Sequence, residues 1–266
     1  QSKCTIRLRL WRIIWCIMDT AFVIGNGESR NIFPIKDLKG KGTIFGCNAI
    51  YRDHPMLCDH IVAVNPPMYD ELKQWHDAEK PEVKIHGPDD ISKWNYIIPG
   101  DQDYDLPKNL KLYRFWRGGD IRKSNKIRTI DFTHNKGSGM SAVLMAAESG
   151  YKDINILAFD ILGARQWERD VPSRIQNNIY KETINYPYRM SMKAYLKYEW
   201  MFQLRQIIRK FPNTNFYFYN RKEYIYGNAF LRWYFDQENI GTGTYADLRR
   251  WVDGDKDKIK FIRFKS

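Results

Sequence analysis

Short apolar runs that alternate with amphipathic stretches constrain this chain more than any other feature. Ala21 to Ile24, Thr43 to Cys47, His60 to Val64 and Val83 to His86 are short and rich in β-branched or aromatic residues. Turn residues flank them, the pattern of buried strands. Met68 to Glu79 has helical periodicity and lies between the third and fourth of these runs. A second helix is predicted over Gly139 to Ser149, closed by Gly150, followed by a strand over Ile154 to Phe159. The order then repeats: Met190 to Lys210 reads as a helix that stops before Pro212 and leads into a strand over Asn215 to Tyr219. Strand and helix in alternation predict an α/β fold, a single Rossmann-like domain with a mostly parallel sheet. A chain of 266 residues is long enough to bury one such core.

The segments that break the alternation set the expected organisation. Ser92 to Arg128 has scattered aromatics without a period and reads as an irregular insertion. Gly163 to Tyr188 follows a strand at the point where open sheets place loops over a ligand, and reads as an irregular lid. The nucleotide-binding domain is therefore expected over 18–222. Residues 223–266 form an aromatic, helical cap in this reading, with Gly241-Thr242-Gly243 as a turn. Residues 1–17, basic and then apolar before Met18, read first as a non-native leader. A peripheral membrane anchor is the next reading of that segment and a signal peptide the third. Four cysteines without C-x-x-C spacing fit a reducing, cytoplasmic setting, with Cys47 and Cys58 as buried free thiols.

The candidate site begins at Val23-Ile24-Gly25-Asn26-Gly27-Glu28-Ser29-Arg30. A strand that breaks into Gly-Asn-Gly-x-Ser can turn its backbone N–H groups outward as a cradle for phosphate oxygens. The third glycine of the dinucleotide fingerprint is replaced by Arg30, and Pro34 prevents a long helix, so the spacing is not that fingerprint. Further polar residues fall at strand ends: Asn48 after Cys47, Asn65 before Pro66-Pro67, and Asp160. Gly137-Ser138-Gly139 opens the second helix as another anion site, unless Ser138 simply caps it.

This order of motifs resembles the bacterial sialyltransferases of glycosyltransferase family 42: GNGxS, Cys-Asn, Asn-Pro, then Ser138-Gly139, an Ala-rich helix, Gly150-Tyr151-Lys152 and Asp160. The likeness spans roughly Ala21 to Asp160 and extends weakly to Tyr219. It implies a Rossmann-like domain with a lid, a CMP-linked sugar as donor, a saccharide acceptor, and no metal or cofactor. By that resemblance Asn26, Gly27 and Ser29 contact phosphate or ribose, Asn48 and Asn65 the nucleotide, and Ser138 and Gly139 the donor's carboxylate or phosphate; Gly25 and Asp160 join them as substrate-binding candidates. Tyr180, Tyr186 and Tyr188 lie where the family has lid tyrosines that meet the departing phosphate. The family's catalytic His follows its lid, whereas this chain has no His beyond His134, which becomes the stand-in base. The family ends the strand before its lid in Gly-Ile-Asp-Phe-Tyr; this chain has Ala158-Phe159-Asp160-Ile161-Leu162. A looser likeness to pterin pyrophosphokinases and flagellin-accessory proteins keeps ATP-dependent pyrophosphoryl transfer open.

Charge supplies the rival from another class. The net charge of +12 requires an acidic partner, and basic residues interleave with aromatics over Arg114 to Arg128 and Tyr217 to Trp233. Such stretches can follow a phosphate backbone and stack on bases, so nucleic acid is an alternative ligand or acceptor. Asp101-Gln102-Asp103 has the D-x-D form of metal-dependent sugar transferases, but its Pro/Gly-flanked setting reads as a solvated turn.

Overall fold

The computed structural model describes residues 19–87, 137–160, 178–181, 183–186, 194–222, 225, 235, 237–259 and 261–262, with backbone only for 194–199, 201 and 202. Seven strands form one sheet: β1 (Thr20–Ile24), β2 (Thr43–Cys47), β3 (His60–Val62), β4 (Lys84–His86), β5 (Asp153–Leu157), β6 (Asn215–Asn220) and β7 (Ile240–Thr244). Their order is β4-β3-β2-β1-β5-β6-β7, and every neighbouring pair is parallel. Four α-helices are described: α1 (Pro66–Glu79), α2 (Ser138–Glu148), α3 (Ala194–Lys210) and α4 (Tyr245–Val252). The α/β fold with a parallel sheet is therefore as the alternation predicts.

Both faces of the sheet are covered, which explains why the strands read as continuous apolar runs. Successive side chains point to opposite faces. Ala21, Val23, Phe45, Ile154, Ile156, Phe216 and Phe218 pack with α2 and α3, while Phe22, Ile24, Ile44, Ile61, Leu157 and Tyr219 pack with α1 and α4. Asn155, in a central strand, is fully buried and must be paired; its Oδ1 accepts from the Tyr219 hydroxyl at 3.0 Å and its Nδ2 donates to the Ala21 carbonyl at 3.4 Å.

Gly241-Thr242-Gly243 is not a turn but the middle of the edge strand β7. A Cβ at Gly241 would lie 2.8 Å from Cβ of Phe261, and one at Gly243 would touch the Tyr219 ring at 3.3 Å. Glycine here makes room for neighbouring side chains, one of the few reasons for it inside a strand. The edge of β7 is closed by Ile262, whose N–H and carbonyl exchange 3.0 Å bonds with Thr242. The helical part of the tail is α4, started by a reciprocal Thr244–Asp247 capping box. Residues after 222 thus add a strand and a helix to the same sheet.

The topology fixes where a ligand can bind. From β1 the sheet grows one way through β2, β3 and β4 and the other way through β5, β6 and β7. The chain leaves β1 for β2 on one side and β5 for β6 on the other, so the boundary between β1 and β5 is the switch point at whose C-terminal ends open α/β sheets bind ligands.

Candidate functional site

A cleft of about 140 Å³ lies at this switch point, lined by Gly25, Asn26 and Gly27 after β1, Cys47 at the end of β2 and Asn48 after it, Gly137 to Met140 at the start of α2, Ala158 to Asp160 after β5, and Asn178 and Trp200. Pockets for drug-sized ligands span about 300–1,000 Å³, so the described walls enclose only part of the room such a ligand needs. Asn48 (φ 50°) and Ala158 (φ 58°) both take the left-handed backbone conformation at the cleft wall. Strain of this kind concentrates at functional sites.

The glycine turn does not form the expected open phosphate cradle. The Gly25 N–H donates to the Leu157 carbonyl and the Gly27 N–H to the Ala158 carbonyl, both at 2.9 Å, so the β1–β5 ladder continues through the turn. A Cβ on Gly25 would sit 2.4 Å from the Ala158 oxygen, and one on Gly27 would sit 2.5 Å from Cγ of Asp160. The two glycines let β1 and β5 close on each other.

Ser29 and Asp160 complete that closure. Ser29 is fully buried; its N–H donates to Asp160 Oδ2 at 2.9 Å and its hydroxyl to Oδ1 at 2.5 Å. Because the Ser29 hydroxyl donates there, it accepts from the Tyr245 hydroxyl, 2.8 Å away. Tyr245 in turn accepts the Ala158 N–H at 3.1 Å, and Asn220 Nδ2 reaches Asp160 Oδ1 at 3.0 Å. Burial pushes the Asp160 carboxyl above its ordinary range, opposed by the bonds from Ser29 and Asn220. Ser29 is thus behind the cleft wall, and Asp160 borders the cleft while its carboxylate clamps three strand ends.

Donors facing the cleft come from α2 instead. Its N-cap is Gly137, with no side-chain cap, so Ser138 is the first helical residue rather than the cap. The first intrahelical bond inward is Ser141 N–H to Gly137 carbonyl at 3.0 Å. A helix start leaves the preceding N–H groups, here those of Ser138, Gly139 and Met140, without intrahelical acceptors and at the positive end of the dipole. The Ser138 hydroxyl is a tie: it donates to Asn48 Oδ1 at 2.6 Å and accepts the Val64 N–H at 3.1 Å, joining α2 to the ends of β2 and β3. Opposite, Asn26 donates through Nδ2 to the Tyr186 hydroxyl at 3.2 Å, while its Oδ1 is buried with no hydrogen-bond partner. A buried acceptor without a donor is costly unless a ligand supplies one.

The described part of the expected lid is docked on these loops. Ile179 N–H donates to the Asn26 carbonyl at 3.0 Å. Tyr180 and Tyr186 are both buried, with ring centroids 5.9 Å apart. Tyr180 bonds through its hydroxyl to Asp53 and accepts from Arg30 at 2.9 Å; Arg30 is itself buried and paired with Asp53 at 2.5 Å. Burial raises the pKa of Tyr186, so it stays a neutral hydroxyl at physiological pH. Burial likewise pushes the Cys47 thiol up to about 12, against a smaller opposing pull from Arg30, which makes it inert.

Of the residues singled out in the sequence, Gly25, Asn26, Gly27, Asn48, Ser138, Gly139 and Asp160 meet in one cleft wall. Tyr186 touches it through Asn26, and Tyr180 sits one layer further out. Asn65 is exposed at the N-cap of α1, outside that wall. His134, Tyr188, the Asp101-Gln102-Asp103 turn and residues 1–17 lie outside the described residues. Asn178 and Trp200 line the cleft without having been singled out. Trp200 had a visible partner in Gly137, where a Cβ would press to 3.1 Å from the indole Nε1. Among the described residues no group of three His, Cys, Asp or Glu could hold a metal ion. No described helix is long and apolar enough to cross a membrane.

No protein-family model matches the chain, and none of the curated proteins compared with it matches either. Among solved structures, it is similar to the apo form of alpha-2,3-sialyltransferase from Campylobacter jejuni. The identity is 20% and the TM-score 0.40, over 76% of this chain and 75% of that one.

Proposed function

We propose that the protein is a glycosyltransferase that moves a sugar from a nucleotide donor, CMP-linked in the favoured form, to an acceptor hydroxyl. One observation carries the reading: at the switch point of a parallel sheet, the uncapped N-terminus of α2 faces a buried Asn26 Oδ1 that lacks a donor. The amides of Ser138, Gly139 and Met140 suit a phosphate, and Asn26 Oδ1 suits a sugar hydroxyl or an amine. The order of motifs that resembles family 42 supports the same assignment. The described wall carries no Lys, Arg or His, so a single phosphodiester charge matches one helix terminus better than a diphosphate does.

In this reading the sugar–phosphate C–O bond breaks while the acceptor oxygen bonds to the sugar carbon. The departing phosphate takes the bonding electrons, and the α2 amides stabilise its charge. The acceptor proton passes to a base, for which His134 is the candidate. Two buried free thiols support a reducing, cytoplasmic setting.

Thermal shifts with CMP, UDP and ATP test the assignment. A nucleotide at about 100 times its Kd adds roughly 2.7 kcal/mol to stability, or roughly 5–10 °C for a chain of this size. CMP is expected to give the largest shift. A shift with ATP alone would replace the reading with pyrophosphoryl transfer. Salt-dependent binding of nucleic acid with no nucleotide effect would replace it with a binding module.

A further inference from the structure

An arginine outside the described cleft wall holds the turn that brings Tyr186 to Asn26. The turn is closed by the Tyr186 N–H on the Thr183 carbonyl at 2.9 Å and includes Asn185 at φ 63°. Arg52, on the short helical turn Asn48–Arg52 after β2, grips it from the side. Its guanidinium donates to Thr183 Oγ1 at 2.7 Å and to the Ile184 carbonyl at 2.9 Å. The same guanidinium forms a two-pronged pair with Glu71 of α1, Nε to Oε1 at 2.8 Å and one terminal nitrogen to Oε2 at 2.7 Å. Glu71 then accepts from Asn185 Nδ2 at 2.6 Å and from the Tyr51 hydroxyl. From the other side Arg30 lies 5.4 Å from the Tyr180 ring centre, with Arg52 at 5.8 Å.

This arrangement is more specific than docking requires. A flat guanidinium satisfies five donors only in a fixed fork geometry, and here the fork locks α1, the β2 turn and residues 183–184 into one register. Tyr186 follows directly, and its hydroxyl ends 3.2 Å from Asn26 Nδ2. That contact anchors one end of the Asn26 carboxamide and leaves the other, Oδ1, as the buried acceptor. Without Tyr186 in place, the carboxamide loses that anchor.

We infer that Arg52, with Glu71, is a positioning residue that sets the Thr183–Tyr186 turn so that Tyr186 aims the Asn26 carboxamide at the donor. The inference rests on the nucleotide-donor reading of the cleft. Arg52 is not itself one of the cleft-lining residues; it acts through Tyr186 and Asn26. The geometry also explains why the pair is an Arg and a Glu rather than two apolar residues: the turn carries its own polar backbone and must be held by hydrogen bonds.

A double-mutant cycle tests it. CMP affinity is measured by calorimetry for the wild type, Arg52→Ala, Tyr186→Phe and the double variant, with hydrogen exchange followed over 178–186. Each single variant is expected to bind CMP about tenfold more weakly, and the double variant no worse than Tyr186→Phe, because both act along one path. Arg52→Lys, which cannot reproduce the fork, is expected to recover little. Multiplied losses in the double variant, or unchanged affinity in Arg52→Ala, would overturn the inference. If the wild type binds no nucleotide, the donor reading fails separately, and exchange still decides the latch. The Ile179 and Tyr186 amides should exchange at least tenfold faster in Arg52→Ala, and unchanged exchange would refute it.

Discussion

Ser29→Ala separates a clamp from a ligand contact at the most sequence-conspicuous turn of the molecule. The hydroxyl is fully buried and sits between Asp160 Oδ1, to which it donates at 2.5 Å, and the Tyr245 hydroxyl at 2.8 Å. Removing it deletes a hydrogen bond to a carboxylate, worth about 1.5–3 kcal/mol, and leaves the buried Tyr245 hydroxyl without an acceptor for about 1–3 kcal/mol. The Ser29 N–H bond to Asp160 and the Asn220 bond remain, so the two losses overlap and a total near 2–4 kcal/mol is expected. For a chain of this size that corresponds to a fall in Tm of roughly 4–16 °C. CMP affinity, measured well below the new Tm, should change less than twofold, because no atom of Ser29 lines the cleft. Urea unfolding and calorimetric titration give the two numbers. A stability loss under 1 kcal/mol together with a tenfold loss of CMP affinity would refute the clamp and return Ser29 to the ligand.

Three further outcomes follow from the same geometry. Gly27→Ala places a Cβ 2.6 Å from the Ala158 carbonyl oxygen and 2.5 Å from the Asp160 carboxyl carbon, so it should cost at least about 1–3 kcal/mol by urea unfolding; a neutral variant would show that β1 and β5 do not close there. His60 is stacked on Phe45 with its Nδ1 3.0 Å from His86 Nε2, and burial, then His86 and Lys84, lower its pKa to about 4. Between pH 6.5 and 4 the unfolded chain takes up a proton there that the folded one refuses, so stability should fall with pH across that window. After allowance for its half-exposed ring, the share is about 1–2 kcal/mol; His60→Gln should flatten the fall, and an unchanged slope would assign it to other groups. Cys47 and Cys58 are both buried with thiol pKa values pushed upward by burial, so these two thiols of the native protein should react with a thiol reagent only at its unfolding rate. Fast labelling of either would contradict the closed strand ends.

The sheet was legible because its signal is local. Phe22 and Ile24 face one layer, Ala21 and Val23 the other, and both sets are apolar, which a run of sequence displays directly. The site was legible as a set of positions but not as a set of roles. Gly25 and Gly27 stand out in any reading, yet the reason for them is the carbonyl of Ala158 and the side chain of Asp160, more than 130 residues away. Ser29 likewise looks like a phosphate contact until Tyr245 and Asn220 arrive from distant segments to bury it. Gly241 and Gly243 signal a turn because glycine usually does, and only the packing of Phe261 and Tyr219 makes them strand residues. The Arg52–Glu71 pair has no helical or strand spacing to announce it, since its partners sit on separate elements. Ala158 follows the same rule: nothing local marks it as a left-handed residue.

Backbone amide shifts during a CMP titration of isotope-labelled protein test the central claim most directly. The account predicts saturable shifts concentrated at Ser138, Gly139 and Met140, whose N–H groups open α2 toward the cleft, with the Asn26 side-chain amide moving alongside. The Gly25 and Gly27 amides, already bonded to Leu157 and Ala158, should move little. Saturation at the Gly25 and Gly27 amides with a silent α2 start, or no shift at either, would contradict it.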